Sequence, residues 1–182
     1  TSVKKYGTGS MYFPATASSI KGCPYAGNLN TTFNGDFTIE FWYYPTNAGA
    51  AKGSQGQALL DTRASASPGS ANGFVIYNYS TGNKISVYTN GGNLLTSTTS
   101  PSNNTWYHIA LTRSGSTMRL FINGTQEGGN ATYATAFTDG YMLISGVTDN
   151  TSGTYMMFEG SLDDLRITKG YALSLIHILT LP

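Results

Sequence analysis

The stretch from Trp106 to Gly124 constrains this chain more than any other. Tyr107, Ile109 and Leu111 alternate onto one face, and Met118, Leu120 and Ile122 do the same a few residues later. The connector Ser114-Gly115-Ser116-Thr117 places a glycine where a hairpin wants positive φ. Asn123-Gly124 closes the second arm with a strong short turn signal. Side chains that repeat every second residue on both arms specify a pair of strands, and a hairpin this clear at the centre of the chain predicts an all-β fold.

The flanking sequence extends the pattern. Phe37, Ile39, Phe41 and Tyr43 share one face of a strand over 36–45, with Thr38, Glu40, Trp42 and Tyr44 on the other and Pro45 at its end. Further strands are expected near 9–13, at 57–63, at 94–99, at 141–145, at 155–158 and at 162–168. A hairpin is expected from 73–79 and 84–89 across Thr81-Gly82-Asn83. Residues 15–35 and 124–140 read as loop-rich. Short alternating strands with turn signals every 8–12 residues or so indicate a two-sheet antiparallel sandwich. The 182 residues suit one domain, and no repeat or linker divides them.

Charge narrows the function classes. Charged residues make up 10% of the chain, against roughly 25% in an average domain, and the net charge is +1. Neither nucleic acid nor an anionic membrane has an electrostatic case. No run of apolar residues approaches the ~20 needed to span a bilayer, so no membrane insertion is expected. No stretch reads as a signal peptide, and a chain that begins at Thr1 reads as a processed product, a fragment or a segment of something longer. A weakly charged surface of Thr, Ser, Asn and Gly tolerates close self-association. Cys23 is the sole cysteine, so no intrachain disulfide forms. Asn-x-Ser/Thr sequons at Asn30, Asn78, Asn103, Asn123, Asn130 and Asn150 read first as a by-product of composition.

Four motifs in order now stand out: Asp36–Trp42, Trp106–Arg113, Arg119–Gly124 and Phe158–Ile167. Together they resemble the laminin-G-like, concanavalin A-like jelly-roll family over roughly residues 7 to 174. The resemblance implies a two-sheet jelly-roll β-sandwich as a single domain over 1–174. It leaves 175–182 as an apolar tail, either an added edge strand or a stretch foreign to the domain. It also implies carbohydrate-binding, adhesive or structural roles. The low charge and Thr/Asn/Gly-rich loops are similar to family versions found in bacteriophage virion, tail-fibre and decoration proteins.

Glycoside hydrolases of this fold resemble one another in a Glu-x-Asp-x-Glu strand that sets three carboxylates on one sheet face. Here no two of the nine acids lie two residues apart, so no enzyme is expected. His108 sits mid-strand in a family motif and reads as a packed or hydrogen-bonded sheet histidine rather than a triad base. Cys23 reads as a small hydrophobe or an inert loop thiol, and no zinc spacing exists. Glu40 and Arg166, in apolar strands, read as structural pairing across the sheets. Asp163-Asp164 reads as fixing a turn or accepting a backbone donor. Trp42 and Trp106 read first as core, while Tyr77, Tyr79 and Tyr88 on the predicted hairpin are the better surface candidates for glycan stacking. Calcium is the one cofactor the resemblance implies, with Asp139, Asp149 and Asn150 in loops of suitable composition at the sandwich rim.

The leading functional expectation is a non-enzymatic structural or adhesive module, a virion fibre, decoration or capsid-associated protein in a homomeric assembly. The alternative is a carbohydrate-binding, lectin-like domain of a secreted or cell-surface protein. The expected partners are copies of itself and glycans, and the expected location is a virion or the extracellular surface.

Overall fold

The computed structural model describes residues 3–14, 32–50, 56–64, 72–147 and 156–173. Its described residues form eleven strands: β1 (Met11–Phe13), β2 (Phe37–Pro45), β3 (Gly56–Asp61), β4 (Val75–Tyr79), β5 (Lys84–Thr89), β6 (Gly92–Thr96), β7 (Tyr107–Ser114), β8 (Thr117–Ile122), β9 (Thr125–Thr132), β10 (Leu143–Ile144) and β11 (Gly160–Lys169). Among the described residues no helix is long and apolar enough to cross a membrane. A six-stranded sheet runs β1-β11-β2-β7-β8-β9 and a five-stranded sheet runs β10-β3-β4-β5-β6. The named strands pair antiparallel throughout, as the jelly-roll expectation requires.

The sheets close over one core, built from the faces that alternation marks out. Phe37, Ile39, Phe41 and Tyr43 of β2 and Ile109 and Leu111 of β7 meet Leu60, Ile76, Ile85 and Val87 of the facing sheet. Each such side chain contributes roughly 1.5–3 kcal/mol by leaving water, which makes this layer the main source of stability. At one end Phe37 and Phe74 stack at 5.8 Å, and Phe137 meets Phe74 at 4.8 Å. Arg113 is buried there with its guanidinium 5.6 Å from the Phe137 ring, donating to the carbonyls of Ala134, Thr135 and Gly115. Burial pushes the Tyr43 phenol well up from its ordinary value, against the opposing effect of its hydrogen bond with Asn78.

Strand β9 lies where the sequence reads as loop. Its residues Thr-Gln-Glu-Gly-Gly-Asn-Ala-Thr carry no apolar alternation because β9 is an edge strand with most of its side chains exposed. It closes the sandwich against β6. A Cβ on Gly128 would stand 2.3 Å from the Thr96 carbonyl oxygen, so only glycine lets the two edges approach this closely. Beside it, the Glu127 carboxylate accepts hydrogen bonds from the backbone and hydroxyls of both Thr98 and Thr99. The strand expected over 155–158 reduces, in its described part, to one parallel bridge between Met157 and Ala58.

Burial by itself would raise the Glu127 pKa, but the hydrogen bonds from Thr98 and Thr99 outweigh it and hold the carboxyl below its ordinary value. A carboxylate with a depressed folded pKa stabilises the protein above its unfolded pKa, and the contribution is lost as pH falls through the folded value. Urea midpoints measured from pH 7 down to pH 3 should therefore fall more steeply for the wild type than for Glu127→Gln. Parallel curves would remove Glu127 from the acid response.

Candidate functional site

The outer face of the five-stranded sheet, turned away from the main core, carries a second apolar cluster. Register builds it: Val75 pairs Tyr88, Tyr77 pairs Ser86, and Asp61 and Ala58 of β3 lie opposite Val75 and Tyr77. Ala58, Val75, Tyr77 and Val147 are buried in the cluster, and Tyr79, Tyr88 and Met156 pack on it half-buried. A bulge between Ala58 and Leu60 turns Leu59 into the main core while keeping Ala58 and Asp61 on this outer face.

The three tyrosines therefore share one face, as alternation along β4 and pairing to β5 dictate, but not as three surface rings. Tyr77 is 1% exposed, and its hydroxyl donates to the Asn93 side chain on β6. Burial, and secondarily the nearby Tyr79 and Tyr88 phenols, push its pKa to about 12 against the lowering effect of the Asn93 bond, so it stays a neutral donor. Tyr79 meets the Tyr77 ring edge-on at 5.6 Å, and Tyr88 has the Arg63 guanidinium 5.9 Å from its ring centre. Arg63 is itself fixed by a bidentate pair to Asp61, with Nε–Oδ1 and Nη2–Oδ2 both 2.9 Å, and Asp61 also accepts the Arg63 backbone N–H. Sequence reasoning missed Asp61, Arg63 and Asn93. The available signal was an acid and an arginine two residues apart at the end of the apolar run Ala58-Leu59-Leu60.

The outer face of the six-stranded sheet holds most of the other polar residues of interest. Glu40 lies between His108 (Nε2–Oε2 3.3 Å) and Arg166 (Nη1–Oε1 3.5 Å), and Arg166 also reaches Asp164. The pairing joins neighbouring strands of one sheet rather than crossing between sheets, because Glu40, Ala110 and Arg166 share a register on the same face. His108 is buried, as a packed sheet histidine should be. Asp163 accepts the backbone N–H groups of Lys5, Tyr6 and Asp164, which pins the amino-terminal segment across this face. Trp42 and Trp106 are not in the main core. Trp42 is half-buried against His108 under the Lys5 ammonium, 4.0 Å from the ring centre, and Trp106 is half-buried 5.1 Å from Tyr44. Trp42 shares the phase of Thr38 and Glu40 on β2, which the broad apolar appearance of that strand obscured, and Trp106 directly precedes β7 in the phase of His108.

Of the three rim residues suggested for calcium, Asp139 uses one carboxylate oxygen to accept the Ala64 N–H, and Asp149 and Asn150 lie outside the described residues. No group of three or more His, Cys, Asp or Glu among the described residues could hold a metal ion. Cys23 and His177 also lie outside the described residues. Asn78 is fully buried and hydrogen-bonds Asn83, so its sequon has no room for a glycan, whereas Asn103, Asn123 and Asn130 are exposed.

Comparison with known proteins places this architecture. Domain 4 of the extracellular arabinanase AbnA from Geobacillus stearothermophilus, solved with arabinotriose, superposes with a TM-score of 0.58 at 14% identity, over 82% of this chain and 67% of that one. The heptameric SAP-like pentraxin of Limulus polyphemus gives 0.59 at 17% identity, over 87% and 79%. A Bacteroides ovatus protein assigned to carbohydrate binding gives 0.61 at 17% identity over 81% of this chain, which spans only 40% of that structure's length. At these identities the likeness is one of fold. No curated protein sequence matches the chain significantly. The family model described as the concanavalin A-like lectin/glucanases superfamily, of laminin G type, matches residues 21–178, and with most of its length matched the chain belongs to that family.

Proposed function

We propose that this chain is a non-enzymatic, lectin-like module that binds glycans on the outer face of its five-stranded sheet. The observation that carries the reading is the second apolar cluster. The solvent side of an antiparallel sheet ordinarily presents polar side chains. Here it presents Tyr79 and Tyr88 half-buried over a floor of Ala58, Val75 and Tyr77, with Asn93 and the Asp61–Arg63 pair at hand. A sugar ring offers the matching chemistry, an apolar C–H face for an aromatic ring and hydroxyls for fixed polar groups. The carbohydrate associations of the arabinanase domain and the Bacteroides ovatus protein favour the same class of ligand.

The acids support a binding rather than a catalytic role. Of the nine, Asp149 lies outside the described residues, and each of the other eight has a structural partner. Glu40, Asp61 and Asp164 pair with cations, Glu127 with two threonines and Glu159 with Asn47, while Asp36, Asp139 and Asp163 accept backbone N–H groups. None of these eight is held as a free acid or base. A glycan array probed with the wild-type chain should give hits that Tyr88→Ala weakens by roughly two- to tenfold, the worth of one aromatic contact, with melting temperature kept. An array without hits would sink the reading.

A second reading, a structural or adhesive component of a virion fibre or another homomeric surface array, is favoured by the low charge of the chain, 10% of residues. It is compatible with glycan binding. Sedimentation at high concentration should show self-association, and a monodisperse monomer would count against it.

A further inference from the structure

We infer that the chain carries a second, separate carbohydrate site on its opposite side, an aromatic strip of Tyr12, Tyr44 and Trp106 on the outer face of the six-stranded sheet that takes a neutral, extended oligosaccharide. Register lines the strip up. Tyr12 of β1 pairs Ser161 of β11, and Ser161 pairs Tyr44 of β2. The next position on β7's side is Trp106, whose ring centre lies 5.1 Å from that of Tyr44. With strands roughly 4.8 Å apart, Tyr12 and Tyr44 stand about 10 Å apart along the row, so the strip runs across strands rather than along one. Phe13 and Tyr43, the neighbours in sequence, point to the main core, so the strip is independent of the packing that holds the sheets together.

Three features set the strip apart from an ordinary surface. Tyr12 is 49% exposed, and Tyr44 and Trp106 are half-buried, so ring surface is open on a face whose small member, Ser161, is covered. The charged groups of the same face are gathered one and two rows away. Lys5 sits over Trp42, Asp163 holds the backbone of Lys5 and Tyr6, and Glu40 is engaged by His108 and Arg166. The strip itself is left neutral, which selects an uncharged ligand over an acidic one. At its end, exposed Asn104 and Thr105 directly precede Trp106, and Asn104 is held in the left-handed region at φ 59° while its N–H donates to the Pro45 carbonyl. Rings in a row with polar side chains at one end can stack successive sugar rings and hydrogen-bond their hydroxyls.

The inference stands apart from the site on the five-stranded sheet, and the two fail separately. The test is affinity electrophoresis of the full chain in native gels containing soluble neutral polysaccharides (arabinan, xylan, galactomannan, mixed-linkage β-glucan), with alginate as an acidic comparator. Retention is compared in a Tyr79→Ala, Tyr88→Ala background, which removes both partly exposed rings of the other face. Retention by at least one neutral polysaccharide is expected, reduced roughly two- to tenfold per ring in Tyr44→Ala and Trp106→Ala. Tyr12→Ala, at an exposed edge position, gives the same readout should either of the others fail to fold. Three results would overturn the inference: no retention by any neutral polysaccharide, retention unchanged in all three variants, or retention by alginate alone. So would self-association that these variants abolish while retention persists, which would make the strip a contact between copies of the chain.

Discussion

Gly160→Ala is expected to destabilise the protein by about 3–5 kcal/mol. Gly160 opens β11 at φ 143°, a region L-residues rarely enter, and a Cβ there would stand 2.0 Å from the Tyr44 carbonyl oxygen and 3.0 Å from Pro45 Cα. Strain at such a φ costs roughly 1–3 kcal/mol, and forcing an extra carbon into a packed site costs a similar amount. The obstructing atoms belong to backbone, so no side-chain rotation relieves the contact. The effect should spread, because Gly160 docks β11 on β2 just after Phe158, which packs 4.6 Å from Phe13 and 5.7 Å from Tyr43 in the core. Gly170→Ala is the control. Gly170 also has positive φ, 84°, but nothing lies within 4 Å of its would-be Cβ, so only the conformational part of the cost remains. Denaturant midpoints of the two variants separate strain from collision. Equal losses would show that the close approach at Tyr44 relaxes freely.

Asp61→Ala should cost a similar amount, about 3–5 kcal/mol, for a different reason. Asp61 is fully buried and Arg63 nearly so, and the carboxylate satisfies the guanidinium through two bonds and the Arg63 N–H through a third. Removing the acid strands a buried cation, and that desolvation term dominates the loss. Adding Arg63→Met should restore much of it, since a buried ion pair is often replaceable by apolar side chains of similar size. Chemical denaturation of the single and double variants forms the test. A double variant no more stable than Asp61→Ala would mean that Arg63 matters for its packing beside Tyr88 and not for its charge.

Much of the fold was written in period-two alternation. The β7–β8 hairpin pairs Ile109 with Ile122 and Leu111 with Leu120, as the apolar positions of both arms require, and β2 buries the face that begins at Phe37. Alternation fails where a strand has no buried face to mark. Gln126 and Asn130 of β9 face solvent, and the strand is held by β8's backbone and by Glu127. It fails again where both faces of a strand are apolar or aromatic. β2 reads as one hydrophobic run, which made Trp42 look like core when it lies on the outer face under Lys5. The candidate site was legible in part. Counting along β4 and β5 puts Tyr77, Tyr79 and Tyr88 together, but the burial of Tyr77 depends on Ala58 and Val147, whose proximity only the pairing of β3 and the neighbouring chain reveals. The bulge at Leu59 decides that the Asp61–Arg63 pair falls on this outer face, and no local signal in Ala58-Leu59-Leu60 announces it.

The most direct test of the account is calorimetric titration of the chain with the strongest oligosaccharide from the glycan array, comparing wild type with the double variant Tyr79→Ala, Tyr88→Ala. If the outer face of the five-stranded sheet binds glycan, affinity falls by roughly 5- to 100-fold in the double variant while its melting temperature stays near that of the wild type. Equal affinity in the two proteins, both folded, would contradict it.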